Sequence, residues 1–114
     1  MESPDVELLW WDGCPSAERA LAELREALRE LGIGDTEVRR REIRSQSDAE
    51  AAGFVGSPTI RIGGADVAPP DADEPAGLSC RVYRRRDGRI SPTPDPEDVR
   101  ETLRRALVPG EVNR

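Results

Sequence analysis

Histidine and lysine are absent from this sequence, and all 17 basic residues are arginine. These absences remove Ser-His and Cys-His catalytic pairs, Schiff-base chemistry and histidine-rich zinc sites together. No apolar run approaches the roughly 18 to 20 residues that cross a bilayer, and the acidic start Met1-Glu2-Ser3-Pro4-Asp5 lacks the basic region of a signal peptide. The expectation is a soluble, cytoplasmic protein with no membrane partner. A net charge of −6 argues against a nucleic-acid partner, which calls for a basic excess to neutralise phosphates. The runs Arg39-Arg40-Arg41 and Arg84-Arg85-Arg86 are interleaved with acids and read as a solvated strand or hairpin.

Cysteine is scarce, with only Cys14 and Cys80 present. Two cysteines in a cytoplasmic chain do not make a disulfide framework, so catalytic, redox or metal-binding use gains weight. The 114 residues suit one domain spanning 1–114, and 36% hydrophobic against 35% charged residues predicts a thin core.

Val6-Glu7-Leu8-Leu9-Trp10-Trp11 is a short apolar run ending at Asp12-Gly13, which predicts a buried strand. From Pro15 the period changes. Leu21, Leu24, Leu28 and Leu31 repeat at helical steps with Ala20 and Ala27 between them, predicting a helix from about 15 to 31 that Gly32 stops. Arg-rich residues 36–43 suit an edge strand. Ser47-Asp48-Ala49-Glu50 reads as a capping box opening a short helix that ends at Gly53. Residues 58–67 read as a hairpin turned by Gly63-Gly64, with Ile62 opposite Ala65, Arg61 opposite Asp66 and Ile60 opposite Val67.

Residues 68–78 form a Pro-rich acidic loop without periodicity, read as a mobile surface excursion whose carboxylates leave a metal site open. Cys80 to Arg84 predict an extra short strand, turned by Asp87-Gly88. Asp95-Pro96-Glu97-Asp98 opens a last helix, with Val99, Leu103, Ala106 and Leu107 on its buried side and Pro109-Gly110 as its end. The order β-α-β-α-β-β-loop-α implies a mixed sheet covered by helices.

Cys14 stands where the apolar strand meets the first helix, with Pro15 expected at the first helical position. A thiol there faces unsatisfied N–H groups and the positive end of the helix dipole, so a partly exposed sulfur of lowered pKa is expected. The blander alternative is a small buried residue at a strand end. Asp12 reads as a turn residue, and Ser16 either hydrogen-bonds the thiolate or simply begins the helix.

The run Leu8-Leu9-Trp10-Trp11-Asp12-Gly13-Cys14-Pro15-Ser16-Ala17, the amphipathic helix after it, and Gly56-Ser57-Pro58-Thr59 entering a later strand resemble the thioredoxin-like superfamily over nearly the whole chain. The resemblance implies an α/β fold with a mixed four- to five-stranded sheet flanked by three helices. It further implies that Cys14 matches the first cysteine of the Cys-x-x-Cys motif and Pro58 the cis-proline packed against it. Pro15, Ser16, Ser57 and Pro58 would then contact a protein or low-molecular-weight thiol substrate, with the Ser57 backbone open to pair with an extended one. No cofactor is implied. Ala17 stands where the second cysteine of that motif belongs, and a monothiol forms a mixed disulfide without a local means of release.

If the Gly63-Gly64 turn is right, the chain near residue 68 is again close to Pro58, and Cys80 can return to Cys14 as its catalytic partner. Equally, Cys80 can be an inward strand residue alternating with Val82. Three functions remain open: thiol-disulfide exchange through Cys14; soft-metal or mercury handling by the two thiols, similar to alkylmercury lyases; or a non-catalytic thioredoxin-fold interaction module. A lyase also needs an acid to protonate the leaving carbon, and the position after Ser16 is Ala17.

Overall fold

The computed structural model describes residues 4–107. Its elements are β1 (Val6–Trp10), α1 (Ala17–Glu30), β2 (Val38–Glu42), α2 (Gln46–Ala52), β3 (Thr59–Ile62), β4 (Ala65–Asp66), β5 (Tyr83–Arg84), β6 (Ile90–Ser91) and α3 (Pro96–Leu107). Four strands form one mixed sheet in the order β2-β1-β3-β4, and β5 and β6 pair separately. The segment after Cys80 therefore adds a small second sheet, and among the described residues no fifth strand joins the first. No helix among the described residues is long and apolar enough to cross a membrane.

The central strand β1 is apolar on both faces because both faces are covered. Val6 and Leu8 enter one core with Leu21, Leu24 and Leu28 of α1 and Val99 and Leu103 of α3. Leu9 points the other way, into a second core with Ile43, Ala49 and Phe54. The βαβ crossover makes β1 and β2 parallel, pairing Val6 with Val38, while β3 lies antiparallel on the other side of β1. The Gly63-Gly64 hairpin has the expected register: Ile62 faces Ala65, Arg61 faces Asp66, and the Val67 N–H reaches the Ile60 carbonyl at 3.1 Å. β2 is an edge strand. Its exposed arginines meet local acids, as in the 2.8 Å pair of Arg39 with Asp5.

Several boundaries differ from the sequence pattern. Helix α1 starts at Ala17 with Ser16 as its cap, so Pro15 precedes the helix and does not occupy its first position. The cap of α2 is Ser45, whose hydroxyl accepts from the Asp48 N–H at 3.0 Å, two residues ahead of the expected capping box. Gly53 ends α2 in the left-handed region as expected. Ala106 is exposed, leaving Val99 and Leu103 as the buried side of α3. Pro109-Gly110 lie outside the described residues. The loop at 68–78 is tied down rather than solvated throughout: the Gly77 N–H donates to the Phe54 carbonyl at 3.0 Å, Gln46 donates to the Ala76 carbonyl at 3.0 Å, and Ala76 and Leu78 pack on the second core.

Candidate functional site

Cys14 lies in the turn that joins β1 to α1. Its N–H donates to the Trp11 carbonyl at 3.1 Å. Gly13 makes room for that turn, since a Cβ there would lie 2.4 Å from the Trp11 ring. The sulfur sits two residues ahead of the Ser16 cap, beside the free N–H groups of the helix start. Contrary to the expectation of partial exposure, Cys14 is only 5% exposed. The chain packed across it is the reason.

Burial is the strongest single influence on the Cys14 thiol and opposes its ionisation. Hydrogen bonds from the Cys80 thiol, the Ser16 N–H and hydroxyl, and the Ser57 hydroxyl together outweigh it, so the pKa falls below the ordinary thiol value. Ser57 can serve in this way because its hydroxyl oxygen accepts the Trp11 N–H at 3.0 Å, which leaves the hydroxyl proton to point at sulfur. In the protonated state the Cys14 thiol donates to the Ser57 carbonyl at 3.4 Å. Ser16 thus does more than begin the helix.

Cys80 completes the group. Its pKa is raised, first because it donates a hydrogen bond to Cys14, then by burial and by the negative charge beside it. Both cysteines are free, Cys14 buried and Cys80 exposed. The inner sulfur ionises first and the outer one holds its proton.

Ser57 and Cys80 form a parallel bridge in which the Ser57 N–H donates to the Ser79 carbonyl and the Arg81 N–H to the Ser57 carbonyl, both at 2.8 Å. The Ser57–Pro58 bond is cis. The Ser57 backbone, expected to be open to an extended substrate, is therefore filled by the chain's own residues 79–81. Gly56 makes this approach possible: its φ is +151°, and an added Cβ would lie 3.0 Å from the Arg81 Cβ and 3.2 Å from its Cα and N.

Arg81 fixes the segment. Its buried guanidinium pairs with Asp66 at 2.9 Å, donates to the Thr59 hydroxyl at 3.1 Å and to the Ala68 carbonyl, and lies 4.6 Å from the Tyr83 ring centroid. Tyr83 is buried, which pushes its phenol pKa up, and its hydroxyl donates to the Pro58 carbonyl. Arg81 and Tyr83 thus point inward, while Cys80 and Val82 point outward. That is the opposite phase to the inward Cys80 and Val82 of the alternative reading. A buried arginine on an alternating strand runs against the hydrophobicity pattern, which is why Arg81 and Tyr83 were not legible as site residues; Gly56 was visible only as part of the run before Pro58.

Cys14, Ser16, Ser57 and Cys80 come together, with Pro58 joined to Ser57 by the cis bond, whereas Pro15 is exposed. Among the described residues no group of three or more His, Cys, Asp or Glu side chains is placed to hold a metal ion. The arrangement offers a stabilised thiolate with a second thiol against it. No known protein family, curated protein or solved structure matches the chain.

Proposed function

We propose that the chain is a thioredoxin-like thiol-disulfide exchange protein in which Cys14 is the nucleophile and Cys80 the resolving thiol. The observation that carries this reading is the shared attachment to Ser57, whose carbonyl accepts from the Cys14 thiol at 3.4 Å while its backbone forms a bridge with Cys80; beside it, the Cys14 pKa is lowered and the Cys80 pKa raised. The βαβ unit followed by an antiparallel hairpin supports the fold assignment. Cys80 takes over the part that Ala17 cannot play.

In the forward step the Cys14 thiolate attacks a substrate disulfide R–S–S–R′. A Cys14–S–R bond forms, the S–S bond breaks and R′S⁻ leaves. Cys80 then gives its proton to that leaving thiolate and attacks the Cys14 sulfur, so that a Cys14–Cys80 disulfide forms and RS⁻ departs. Two electrons pass from the protein dithiol to the substrate, which ends as two thiols. The raised Cys80 pKa keeps it protonated until Cys14 has lost its charge in the mixed disulfide, and this sets the order of the steps.

Thiol titration in buffers of graded glutathione potential tests the reading. The protein is expected to pass reversibly between two-thiol and no-thiol monomeric forms, and Cys80→Ala is expected to accumulate a mixed disulfide on Cys14. Retention of both thiols under oxidising conditions would overturn the proposal. The same pair of thiolates also favours a soft metal such as Hg²⁺ as cargo. That second reading predicts thiols that resist oxidation and disappear from titration only when the metal is added.

A further inference from the structure

We infer that the cleft between the β5–β6 hairpin and the start of α1 is an oxyanion site that seats a negatively charged group of a small disulfide substrate of Cys14. The inference rests on the exchange reading above and narrows its substrate class. The cleft has a volume of about 200 Å³ and is lined by Arg19, Arg85, Arg89, Ile90 and Ser91. Three arginines line it in a protein whose net charge is −6.

Their hydrogen bonding leaves cationic N–H groups for a ligand. Arg19 donates to Glu23 through Nε, and Arg89 to Asp87 through Nε. Arg85 is half-buried, and its Nη2 donates to the hydroxyls of Ser91 at 3.1 Å and Thr93 at 3.3 Å; among the described residues it forms no ion pair. The acids nearest to it are occupied elsewhere. Asp87 binds the N–H and guanidinium of Arg89, and Asp95 accepts the backbone N–H groups of Arg86 and Glu97. A guanidinium held by neutral hydroxyls suits a carboxylate or another planar oxyanion, which it can bind through two parallel hydrogen bonds.

Two elements join the cleft to the thiol pair. Arg19 lies in the first turn of α1, five residues after Cys14. Ser91 pairs with Tyr83, whose hydroxyl holds the Pro58 carbonyl next to Ser57, so the hairpin is anchored at the site itself. A small substrate is also what the rest of the site admits. The Cys14 sulfur is nearly enclosed, and the Ser57 backbone that an extended peptide would need is filled by residues 79–81. Local arginines then offset the repulsion that the acidic surface exerts on an anion.

The test compares two disulfide probes on Cys80→Ser protein, where Cys14 alone reacts. One is 5,5′-dithiobis(2-nitrobenzoate), with two carboxylates; the other is 2,2′-dithiodipyridine, uncharged at neutral pH. Arg85→Gln is expected to lower the ratio of their rates, anionic over neutral, by about tenfold, the scale of a charge-assisted hydrogen bond. Arg89→Gln, at the exposed hairpin tip, is expected to lower it about threefold and serves if Arg85→Gln does not fold. A ratio unchanged in both variants, or equal slowing with the two probes, would overturn the oxyanion site. If neither probe reacts at Cys14 in the Cys80→Ser parent, the exchange reading itself fails.

Discussion

The two cysteines are held in place by different kinds of structure. Cys14 is fixed by secondary structure: a strand ends, a glycine turn follows and a helix begins, all specified by local residues. Cys80 belongs to no regular element. It is held by one bridge to Ser57 and by the side chains on either side of the strand break, chiefly Arg81 and Tyr83. The comparison shows how a stretch without periodicity can still deliver a side chain to a defined place. A buried arginine bound to a carboxylate, a hydroxyl and a carbonyl is a more specific anchor than an apolar residue, because it is stable only with its partners in position.

Removing that anchor has the largest expected effect. Arg81→Met leaves Asp66 without its partner, and breaking a buried pair in this way costs about 3–5 kcal/mol. Urea unfolding would measure the loss. The same variant is expected to free Cys80 from Cys14, so that their alkylation rates no longer depend on each other. An Arg81→Met protein of unchanged stability would mean that the Cys80 segment is held by something other than this pair.

Gly56→Ala attacks the same region from the other strand. Its positive φ and its contact with the Arg81 backbone predict a loss of about 1–3 kcal/mol. Outward displacement of residues 79–81 is also expected to raise the rate at which Cys14 reacts with iodoacetamide. On the side fixed by secondary structure, Ser45→Ala removes the cap of α2 and is expected to cost about 1 kcal/mol with no change in either thiol.

The division between the two regions also explains what the sequence disclosed. The apolar run of β1, the leucine spacing of α1 and the Gly63-Gly64 register translate directly into backbone pairing, because in each the period of the side chains equals the period of the structure. The position of Cys14 followed from these. The return of Cys80 was legible only as a topological opportunity, through a hairpin that brings the chain back towards Pro58. Its phase was not legible, because an inward Arg81 is decided by Asp66 and Thr59, distant residues that no local pattern connects to it. Whether Cys14 is partly exposed or buried was undecided for the same reason: the Cys80 segment beside it comes from the far side of the Pro-rich loop.

The smallest expected effect is in the pH dependence of stability. A lowered Cys14 pKa means that the folded state releases this proton more readily, so its contribution is present above the ordinary thiol pKa and lost as pH falls through the lowered value. A raised Cys80 pKa has the opposite sign: its contribution is present below the ordinary pKa and lost as pH rises through the raised value. Stability from the pair therefore peaks near the ordinary thiol pKa. Cys80→Ala is expected to remove the alkaline decline and to move the Cys14 pKa upward, since the strongest hydrogen bond that lowers it is gone. Unfolding midpoints and alkylation rates across pH would show both changes.

The proposed redox pair joins Cys14 from one region to Cys80 from the other. Peptide mapping of the oxidised monomer under non-reducing conditions tests it most directly. One cross-linked species is expected, joining the Cys14 and Cys80 peptides, formed within the monomer and reversed by dithiothreitol. Oxidation that yields only intermolecular disulfides, or a monomer in which both cysteines still take alkylating reagent, would contradict it.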